Sequence, residues 1–447
     1  MRVLSVITIL LTISIFPPGL ISQSTIPLLK KSLEGKQKLD SVSYEVYLPD
    51  MGLWIPDSKE CYKYDSNGNQ LVFITYLWDY TGSRWTGHQK EEVEYDIDGN
   101  RILEVLWVWE NSIQEWLLSH RREYIYENGL VKQESDSYWS DEAEDWVIRE
   151  IKEYEYEDGL LLTMLIGGAD LNGDGIINQL DEVKIDYSYD QQGKLVCETT
   201  YYCFDEQTGW QAVYKYDYTY YSNKLPESKT RLDINEEEWL NQSREYYTYD
   251  TEGRMISYTY AYWNYEMNDW RPSEMWEYEL SDDGNLMSMT LNEWDSDSGS
   301  LVPNLKNEYD HNNDFTLEDL ILPKDYPPQY FAHMITAFRQ YEYDDGNWTL
   351  MYRGDLFYSG FTSTGTGNTP VAGIKVFPNP ADEIINIRIG INNGKILFEL
   401  YDTSGKKVKS LRLPVNGQVS VRDLNPGIYL YKLIGSGAQQ TGQLVIR

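Results

Sequence analysis

The sequence predicts an all-β protein, in which a long antiparallel meander of about ten two-strand repeats, each of about 31 residues, precedes a small C-terminal β domain. Two markers with the same period predict the meander. The first is a Tyr-x-Tyr pair, degenerate in some copies, whose second position recurs at 64, 95, 126, 156, 189, 220, 249, 280, 309 and 343. The second is an apolar residue followed seven positions later by tryptophan, at Tyr47/Trp54, Trp78/Trp85, Trp109/Trp116, Trp139/Trp146, Cys203/Trp210, Leu232/Trp239 and Trp263/Trp270. A third observation is that all 15 tryptophans lie between Trp54 and Trp348.

The N-terminus predicts export. Arg2 precedes an apolar run from Val3 to Leu20, and small polar residues follow, which is the pattern of a secretory signal peptide. Pro17 and Pro18 break the helix that a membrane anchor would need, and no later segment is apolar over a spanning length, so we predict no transmembrane segment. We assign residues 1–23 to a signal peptide, 24–45 to a lead-in, and 46–358 to the repeat domain.

Each repeat is predicted to contain two antiparallel strands. Side chains alternate between the faces of a strand, so Tyr154 and Tyr156 share one face while Glu153 and Glu155 share the other. An Asp-x-x-Gly sequence after the tyrosines provides one turn, and the segment between the two residues of the second marker provides the next. Because a flat sheet would leave its rings in water, we expect the sheet to coil or to fold over an aromatic face, with Tyr and Trp inward and Glu and Lys outward.

These repeats, over residues 45–358, resemble the Tyr-Asp repeats of the Rhs and toxin-shell families. The family motif is Tyr-x-Tyr-Asp-x-x-Gly-(Arg/Lys/Asn)-Leu, and the segment that matches it best here is Tyr187-Ser-Tyr189-Asp190-Gln-Gln-Gly193-Lys194-Leu195. The resemblance implies a sheet that spirals into a shell. The present units are longer than those of the family, because each carries an additional hairpin tip bounded by the second marker.

The C-terminal part has a different chemistry. Residues 359–370 are predicted to be a flexible polar linker, and residues 371–447 lack tryptophan and hold ten Lys and Arg against five Asp and Glu. Three motifs occur there in order: Val376-Phe377-Pro378-Asn379-Pro380, Tyr401-Asp402-Thr-Ser-Gly405-Lys406 and Leu424-Asn-Pro426-Gly427-Ile428-Tyr429. Residues 371–447 therefore resemble the type A C-terminal sorting domain of the type IX secretion system. The resemblance implies a small immunoglobulin-like β-sandwich, export by that machinery in a Bacteroidota-type cell, and release or anchoring at the outer-membrane surface.

One segment, residues 170–181, has the spacing of a calcium loop. Oxygen-bearing side chains stand at positions 1, 3, 5, 9 and 12 of twelve, namely Asp170, Asn172, Asp174, Asn178 and Asp181. Gly175 stands at the turn position, and Ile176 offers its backbone carbonyl. The segment resembles the loops of EF-hands and dockerin modules in the version that ends with Asp. It replaces the tip of the fourth unit, so we predict a structural calcium clip on a hairpin end; the alternative is an acidic tip that binds nothing specific.

Charge and chemistry limit the possible functions. The net charge of −34 disfavours binding to nucleic acid. None of the four histidines stands in a nucleophile or zinc spacing, so we assign no catalytic residue and favour a protein that is not an enzyme. The expected partners are the type IX machinery, through residues 371–447, and an unidentified extracellular glycan or protein.

Three functional hypotheses stay open. The first is a secreted or cell-surface repeat protein that acts by adhesion or by capture of a glycan or protein. The second is an extracellular carbohydrate-active enzyme with its site in a groove, and the third is a passive component of a surface layer. Exposed Tyr and Trp in a line would favour the first hypothesis, whereas a cleft with clustered, perturbed carboxylates would favour the second.

Overall fold

The computed structural model describes residues 33, 35–168, 182–204, 208–323, 326 and 331–361, and then 375–377, 384–388, 396–401, 406–413, 417–422, 424–425, 427–434 and 439–446. Nearly all of these residues lie in strands, as the sequence predicts. The described part of the chain contains no α-helix, and its one short 3-10 turn spans Leu317–Asp319.

The described residues of the repeat region form one sheet. Its strands are β1 (Gln37–Leu48), β2 (Leu53–Tyr64), β3 (Gln70–Asp79), β4 (Arg84–Tyr95), β5 (Arg101–Glu110), β6 (Glu115–Glu127), β7 (Leu130–Ser140), β8 (Asp145–Glu157), β9 (Leu160–Gly167), β10 (Val183–Tyr189), β11 (Leu195–Cys203), β12 (Trp210–Tyr220), β13 (Pro226–Asn235), β14 (Glu238–Tyr249), β15 (Met255–Asn264), β16 (Asp269–Leu280), β17 (Leu286–Asp295), β18 (Ser300–Thr316), β19 (Leu320–Ile321), β20 (His333–Asp344) and β21 (Asn347–Gly360). Strand β1 begins inside the segment that the sequence analysis assigns to a lead-in.

The sheet is a meander that closes on itself. Consecutive strands pair in antiparallel fashion from β1 to β18, and β18 then pairs with β20 and β20 with β21. Strand β21 returns to β1, where Gly354 opposes Tyr44 and Leu356 opposes Val42. The two-residue strand β19 adds a short parallel contact to β1. The ten predicted two-strand units are thus present, and closure removes the free edges that an open sheet would expose.

The turns after the tyrosine pairs form as predicted. The Asp190 carboxylate accepts hydrogen bonds from the backbone N–H groups of Gln192, at 2.8 Å, and Lys194, at 2.9 Å. These backbone donors, that of Lys194 foremost, lower the pKa of the Asp190 carboxyl. Gly193 adopts a φ of 77°, which a residue without Cβ does at no steric cost. The same Asp-x-x-Gly arrangement recurs at Asp65, Asp96 and Asp250.

Side chains alternate along the strands, so the sheet has two distinct faces. In β14, Tyr247 is 2% exposed and lies on the same side as Tyr249, whereas Thr248 between them is exposed on the other side. We call the side that carries the Tyr-x-Tyr pairs the tyrosine face and the opposite side the tryptophan face. The tyrosine face is the more enclosed of the two, since Tyr62, Tyr278 and Tyr309 are also buried.

The tryptophan pairs lie opposite the tyrosines, so the expectation that both ring types point inward is wrong. Trp116 stands eight residues before Tyr124, and an uninterrupted strand would place both rings on one face. The pairing of β5 with β6, however, shifts register between Leu106 and Trp107. A one-residue bulge moves every side chain beyond it to the other face. Equivalent register shifts occur in the hairpins β1/β2, β3/β4, β7/β8, β11/β12, β13/β14, β15/β16, β17/β18 and β20/β21.

Most residues of the second marker face each other across a hairpin. Four Trp pairs pack edge to face with ring centroids 5.0 to 5.4 Å apart, a favoured geometry for aromatic pairs: Trp78/Trp85, Trp109/Trp116, Trp139/Trp146 and Trp263/Trp270. Leu232 and Trp239, which also belong to the second marker, do not face each other, because Trp239 opposes Ile234. The β13/β14 hairpin has a two-residue tip, which shortens the distance along the chain between the two residues that face each other.

The last copy of the first marker was also assigned to the wrong face. Tyr341 donates a hydrogen bond to Glu308 at 2.9 Å, and the Tyr343 ring packs against Trp348 at 5.0 Å, so both tyrosines belong to the tryptophan face. Phe338, which is 1% exposed, occupies the tyrosine face in this unit. The Tyr-x-Tyr spacing is thus identical on both faces, and only strand pairing distinguishes them.

Charged groups also occupy the tyrosine face, so the expectation that Glu and Lys lie outward is only partly correct. Tyr124 donates to Glu104 at 3.1 Å, and Tyr218 donates to Glu198 at 2.7 Å. Burial, and then the charge of Glu198, raises the pKa of the Tyr218 hydroxyl. Glu104 also contacts Arg101 and Arg122, so its buried charge is compensated.

The C-terminal residues form a separate two-sheet sandwich. One sheet contains β22 (Lys375–Phe377), β23 (Ile384–Arg388) and β26 (Gly417–Ser420); the other contains β24 (Ile396–Tyr401), β25 (Lys407–Leu413), β27 (Gly427–Ile434) and β28 (Gln439–Ile446). Ile385 and Ile387 of the first sheet share one core with Phe398, Leu400 and Leu444 of the second. Two sheets of three and four described strands agree with the predicted sandwich, but the fourth strand, β25, pairs with the third, β24, whereas constant-type immunoglobulin domains place it with the first, second and fifth.

Candidate binding cleft at the tryptophan-bounded hairpins

The hairpin tips bounded by the second marker lie at one end of the meander, because each joins an odd-numbered strand to the next even-numbered one. We call this end the aromatic rim. Several of its large apolar side chains are more than half exposed, namely Met51, Tyr80, Ile113, Phe204, Tyr262, Tyr265 and Met267. Exposed apolar groups concentrated in one place are typical of interaction sites.

A cleft of about 580 Å³ opens on the aromatic rim between the β15/β16 and β17/β18 hairpins. Its aromatic wall consists of Tyr262, Trp263 and Trp294. Its other lining residues are Asn264, Arg271, Pro272, Ser273, Glu274 and Glu293, all of which except Pro272 have polar side chains. The volume falls within the range of about 300–1,000 Å³ that small-molecule sites occupy, and the mixture of rings with a few convergent polar groups is typical of them.

A bulge builds one wall of the cleft. The register of β15 with β16 shifts between Tyr260 and Ala261, so that Ala261 opposes Pro272 and Ser273 is the additional residue. Proline is tolerated in a sheet at such a position because it has no N–H to pair. The bulge brings Ser273 and Glu274 to the cleft beside Trp263, which is itself held edge to face by Trp270 at 5.0 Å.

Arg271 and Tyr262 hold the aromatic wall in position. The Arg271 guanidinium lies 4.6 Å from the centroid of the Trp294 ring, a distance at which the cation and the ring attract each other. The Tyr262 ring packs edge to face with Tyr260 at 5.0 Å, although Tyr262 is itself 54% exposed. The hydrogen bond with Tyr260 raises the pKa of the Tyr262 hydroxyl.

Two carboxylates face each other in the cleft. Glu274 of β16 lies directly opposite Glu293 of β17. Burial raises the pKa of the Glu274 carboxyl, and the negative charge of Glu293 raises it further. Like charges directly opposite one another destabilise a sheet, so this pair is a local cost to folding. It is also the feature that the sequence analysis associates with a carbohydrate-active enzyme.

Outside the cleft, a row of cation–ring contacts holds the aromatic groups of the tryptophan face in position. Lys90 lies 4.3 Å from the Trp107 ring, Lys184 4.3 Å from Tyr201 and Arg244 4.5 Å from Trp270. Further examples are Arg121 on Trp146, Lys215 on Trp239 and Lys306 on Tyr341. Five of these six cations, all except Lys306, stand three residues before the first position of a copy of the first marker. This Lys/Arg-x-x-Tyr spacing is visible in the sequence, and the sequence analysis missed it.

The predicted calcium ligands Asp170, Asn172, Asp174, Ile176, Asn178 and Asp181 lie outside the described residues. The flanking strands are described: Ile166 of β9 opposes Val183 of β10. The prediction that this segment is a hairpin tip clipped by calcium therefore stays a prediction. Within the described ranges, no group of three or more His, Cys, Asp or Glu side chains is arranged to hold a metal ion.

The sequence analysis included Trp263 in its second marker but singled out none of its neighbours in the cleft. Tyr262, Arg271 and Trp294 carry no signal that distinguishes them from other rim residues. Glu274 and Glu293 are nineteen positions apart, and neither belongs to a motif. Only the pairing of β16 with β17 shows that they face each other, so a single sequence could not have identified the pair.

The described repeat strands form a closed sheet, and the basic C-terminal residues form a separate sandwich. Residues 375–447 match the family model of the secretion system C-terminal sorting domain. The chain is therefore a cargo of type IX secretion, interacts with that machinery through its tail, and is secreted or anchored on the cell surface. Among the described residues, no helix has the length and apolar character to cross a membrane. No curated protein matches the chain.

Several solved structures are similar to parts of the chain. A protein of unknown function from Bacteroides fragilis is 22% identical over 27% of this chain and 87% of its own, with a TM-score of 0.24. A porin-like protein from Bacteroides uniformis is 10% identical over 72% of this chain and 96% of its own, with a TM-score of 0.25. The TcdB2–TccC3 structure is 13% identical over 91% of this chain and 24% of its own, with a TM-score of 0.26. These scores carry no argument about function, and the resemblance to Tyr-Asp repeats stays a prediction.

Proposed function

We propose that the exported protein binds a glycan in the cleft on the aromatic rim. One observation carries the proposal: three rings, Tyr262, Trp263 and Trp294, share a cavity of about 580 Å³ with one guanidinium and two carboxylates. A sugar ring presents C–H groups on its faces and hydroxyl groups around its edge. The faces pack on aromatic rings, while the hydroxyls donate to carboxylates and accept from a guanidinium.

Replacing Trp263 with alanine is expected to raise the Kd for the bound glycan about 10- to 30-fold, because a central ring of a binding site contributes ~1.4–2 kcal/mol. A glycan array identifies the ligand, and isothermal titration of the best oligosaccharide then measures the change. The array carries host proteins as well as glycans, so that protein capture is measured in the same experiment.

Trp109→Ala is the matched control. Trp109 forms the same edge-to-face pair, with Trp116 at 5.1 Å, on a hairpin that does not line the cleft. This variant is expected to bind the glycan as the natural protein does. The proposal would be contradicted if both variants lost glycan affinity equally, or if the natural protein bound proteins but no glycan. Absence of binding to either class would also contradict it and would favour a passive surface component.

We also propose that residues 170–181 bind calcium and clip the connection between β9 and β10. The spacing of the five oxygen-bearing side chains supports this, together with the pairing of the flanking strands, which holds the two ends of the connection close. A bound ion would replace, at this hairpin, a ring pair such as Trp139/Trp146 of the preceding tip. The role is structural, since the ion is held by one local segment.

Calcium is expected to raise the melting temperature of the protein. An ion that binds only the folded chain stabilises it by about 2.7 kcal/mol at a free concentration of 100 times its Kd. Asp174→Ala removes a ligand and is expected to abolish the rise, whereas Glu142→Ala, an exposed acidic residue on the preceding hairpin tip, leaves it intact. Calorimetric scans with calcium and with chelator make the comparison; identical curves for the natural protein would refute calcium binding.

A further inference from the structure

We propose that the Tyr265 ring is a second stacking platform for the bound glycan, so that the protein recognises an extended oligosaccharide chain rather than a single terminal sugar. Tyr265 lies at the tip of the β15/β16 hairpin and directly follows Asn264, which lines the cleft. The inference deepens the proposed function and rests on it, because the cleft holds one part of the chain while Tyr265 contacts another.

The Tyr265 side chain is both exposed and fixed in place. It is 59% exposed, although it makes two hydrogen bonds to the neighbouring strand β14. Its hydroxyl donates to the backbone carbonyl of Asn241 at 2.9 Å and accepts from the Nε2 group of Gln242 at 3.1 Å. The hydroxyl end of the ring is thus tied to the protein while the apolar surface of the ring is left for a ligand, and both ends of a tyrosine side chain are used in this way at binding sites.

The backbone of the hairpin tip is fixed as well. The side-chain oxygen of Asn264 accepts hydrogen bonds from the backbone N–H groups of Glu266 and Met267, each at 3.0 Å. An asparagine side chain that bonds to the backbone in this way holds a turn in one conformation. Because both the backbone and the hydroxyl of Tyr265 are held before a ligand arrives, stacking of a sugar orders no further protein group, and affinity gains from this preorganisation.

A bulge in the preceding hairpin provides the contact for the Tyr265 hydroxyl. The register of β13 with β14 shifts between Arg231 and Leu232, which leaves Gln242 as the additional residue of β14. A bulge interrupts the regular ladder and changes the direction of the side chains around it. The orientation of Tyr265 therefore depends on the pairing of two strands outside its own hairpin.

The distance between the platform and the cleft determines the class of ligand. The Tyr265 hydroxyl contacts β14, whereas Trp294 of β17 forms the far wall of the cleft. Strands β14, β15, β16 and β17 pair consecutively, so three strand spacings, roughly 14 Å, separate the two groups. A single pyranose ring cannot span this distance. Tyr262, which is 54% exposed on the intervening strand β15, offers a ring along the same path.

The test measures how affinity depends on the length of the glycan. The purified full chain is titrated calorimetrically with oligomers of glucose, xylose, mannose and N-acetylglucosamine that contain one to six sugars. The Kd for the series that binds is expected to fall about tenfold between the shortest oligomer bound and the length that reaches Tyr265. Tyr265→Ala is expected to abolish this gain while the Kd for the shortest oligomer stays within about twofold. Trp263→Ala, in contrast, is expected to raise the Kd at every length.

Tyr265→Phe distinguishes a stacking platform from a clasp that only joins two hairpins. This variant keeps the ring and loses both hydrogen bonds of the hydroxyl, so the gain with chain length is expected to fall from about tenfold to about threefold, because the ring must then be ordered on binding. A clasp would lower the melting temperature in both Tyr265 variants and leave the length dependence of the Kd unchanged. Calorimetric scans of each variant supply the melting temperatures.

Tyr80→Ala is the matched control. Tyr80 lies at the tip of the β3/β4 hairpin, is 54% exposed and donates to Asp57 at 3.5 Å, but its hairpin does not line the cleft. This variant is expected to show the same dependence of Kd on chain length as the natural protein. Loss of the length dependence in Tyr80→Ala would mean that hairpin packing, rather than contact with Tyr265, produces it.

The outcomes separate this inference from the function on which it rests. If the natural protein binds a single sugar as tightly as the longest oligomer, or if Tyr265→Ala keeps the gain with length, the platform is refuted and binding in the cleft stands. If no oligomer and no glycan of the array binds, both proposals are refuted. The length dependence of the natural protein decides the matter even if a Tyr265 variant fails to fold.

Discussion

Removal of residues 371–447 is expected to abolish export of the protein. The sorting domain forms its own sandwich, whose core residues Phe398, Leu400 and Leu444 are fully buried within it. The secretion system C-terminal sorting model matches residues 375–447, which hold this sandwich. A chain without the tail should therefore fold its closed sheet and remain inside the cell envelope. Fractionation and immunoblotting in a type IX-competent host measure the change, and a host without the machinery gives the baseline.

Two substitutions refine this test without shortening the chain. Leu444→Asp places an unpaired charge at a position that is fully buried, and it is expected to unfold the sandwich and to abolish export like the deletion. Leu430→Asp changes a residue of the same type that is 52% exposed in the same sheet, and export is expected to continue. Export of the tail-less chain at the normal level would show that the repeat region carries its own signal.

Phe338→Ala is expected to lower the free energy of unfolding of the repeat sheet by about 3–5 kcal/mol. Phe338 is 1% exposed and packs against Tyr44 at 5.8 Å and Tyr352 at 6.2 Å, so it joins β20 and β21 to β1. Removal of the ring leaves a cavity where the last strand meets the first. Urea titration followed by tryptophan fluorescence measures the loss.

Gly354 provides a second probe of the same junction. It opposes both Phe338 and Tyr44, and a Cβ at Gly354 would overlap the Phe338 ring. Gly354→Val is expected to destabilise the sheet by several kcal/mol. The double variant with Phe338→Ala is expected to lose less stability than the sum of the two single variants, because removal of the Phe338 ring leaves room for the new side chain. Phe357→Ala, at a position 51% exposed on β21, is expected to cost less than about 1 kcal/mol. Equal costs for Phe338→Ala and Phe357→Ala would mean that this junction does not hold the sheet closed.

The features that were predicted correctly are those with a local cause. Tyr154 and Tyr156 share a face because side chains alternate, and Asp190 with Gly193 turns the chain because a carboxylate caps it and glycine accepts a positive φ. The sorting domain was recognised because its motifs are contiguous. None of these inferences depends on which strand lies beside which.

The errors have a common origin in strand pairing. The expectation that Tyr and Trp both point inward fails for Trp116 and Tyr124, because the bulge between them cannot be seen without the partner strand. Tyr341 and Tyr343 have the same spacing as the other pairs, and only their contacts with Glu308 and Trp348 show that they face the opposite way.

The sequence by itself determined the two-strand repeat, its alternating faces, the acidic charge and the export tail, since periodicity, turn chemistry and contiguous motifs are properties of one chain. Tertiary structure alone decided that β21 pairs with β1, that the tryptophans lie opposite the tyrosines, and that Glu274 faces Glu293. The physical reason is that backbone hydrogen bonds between distant strands set the register, and a shift of one residue transfers every later side chain to the other face.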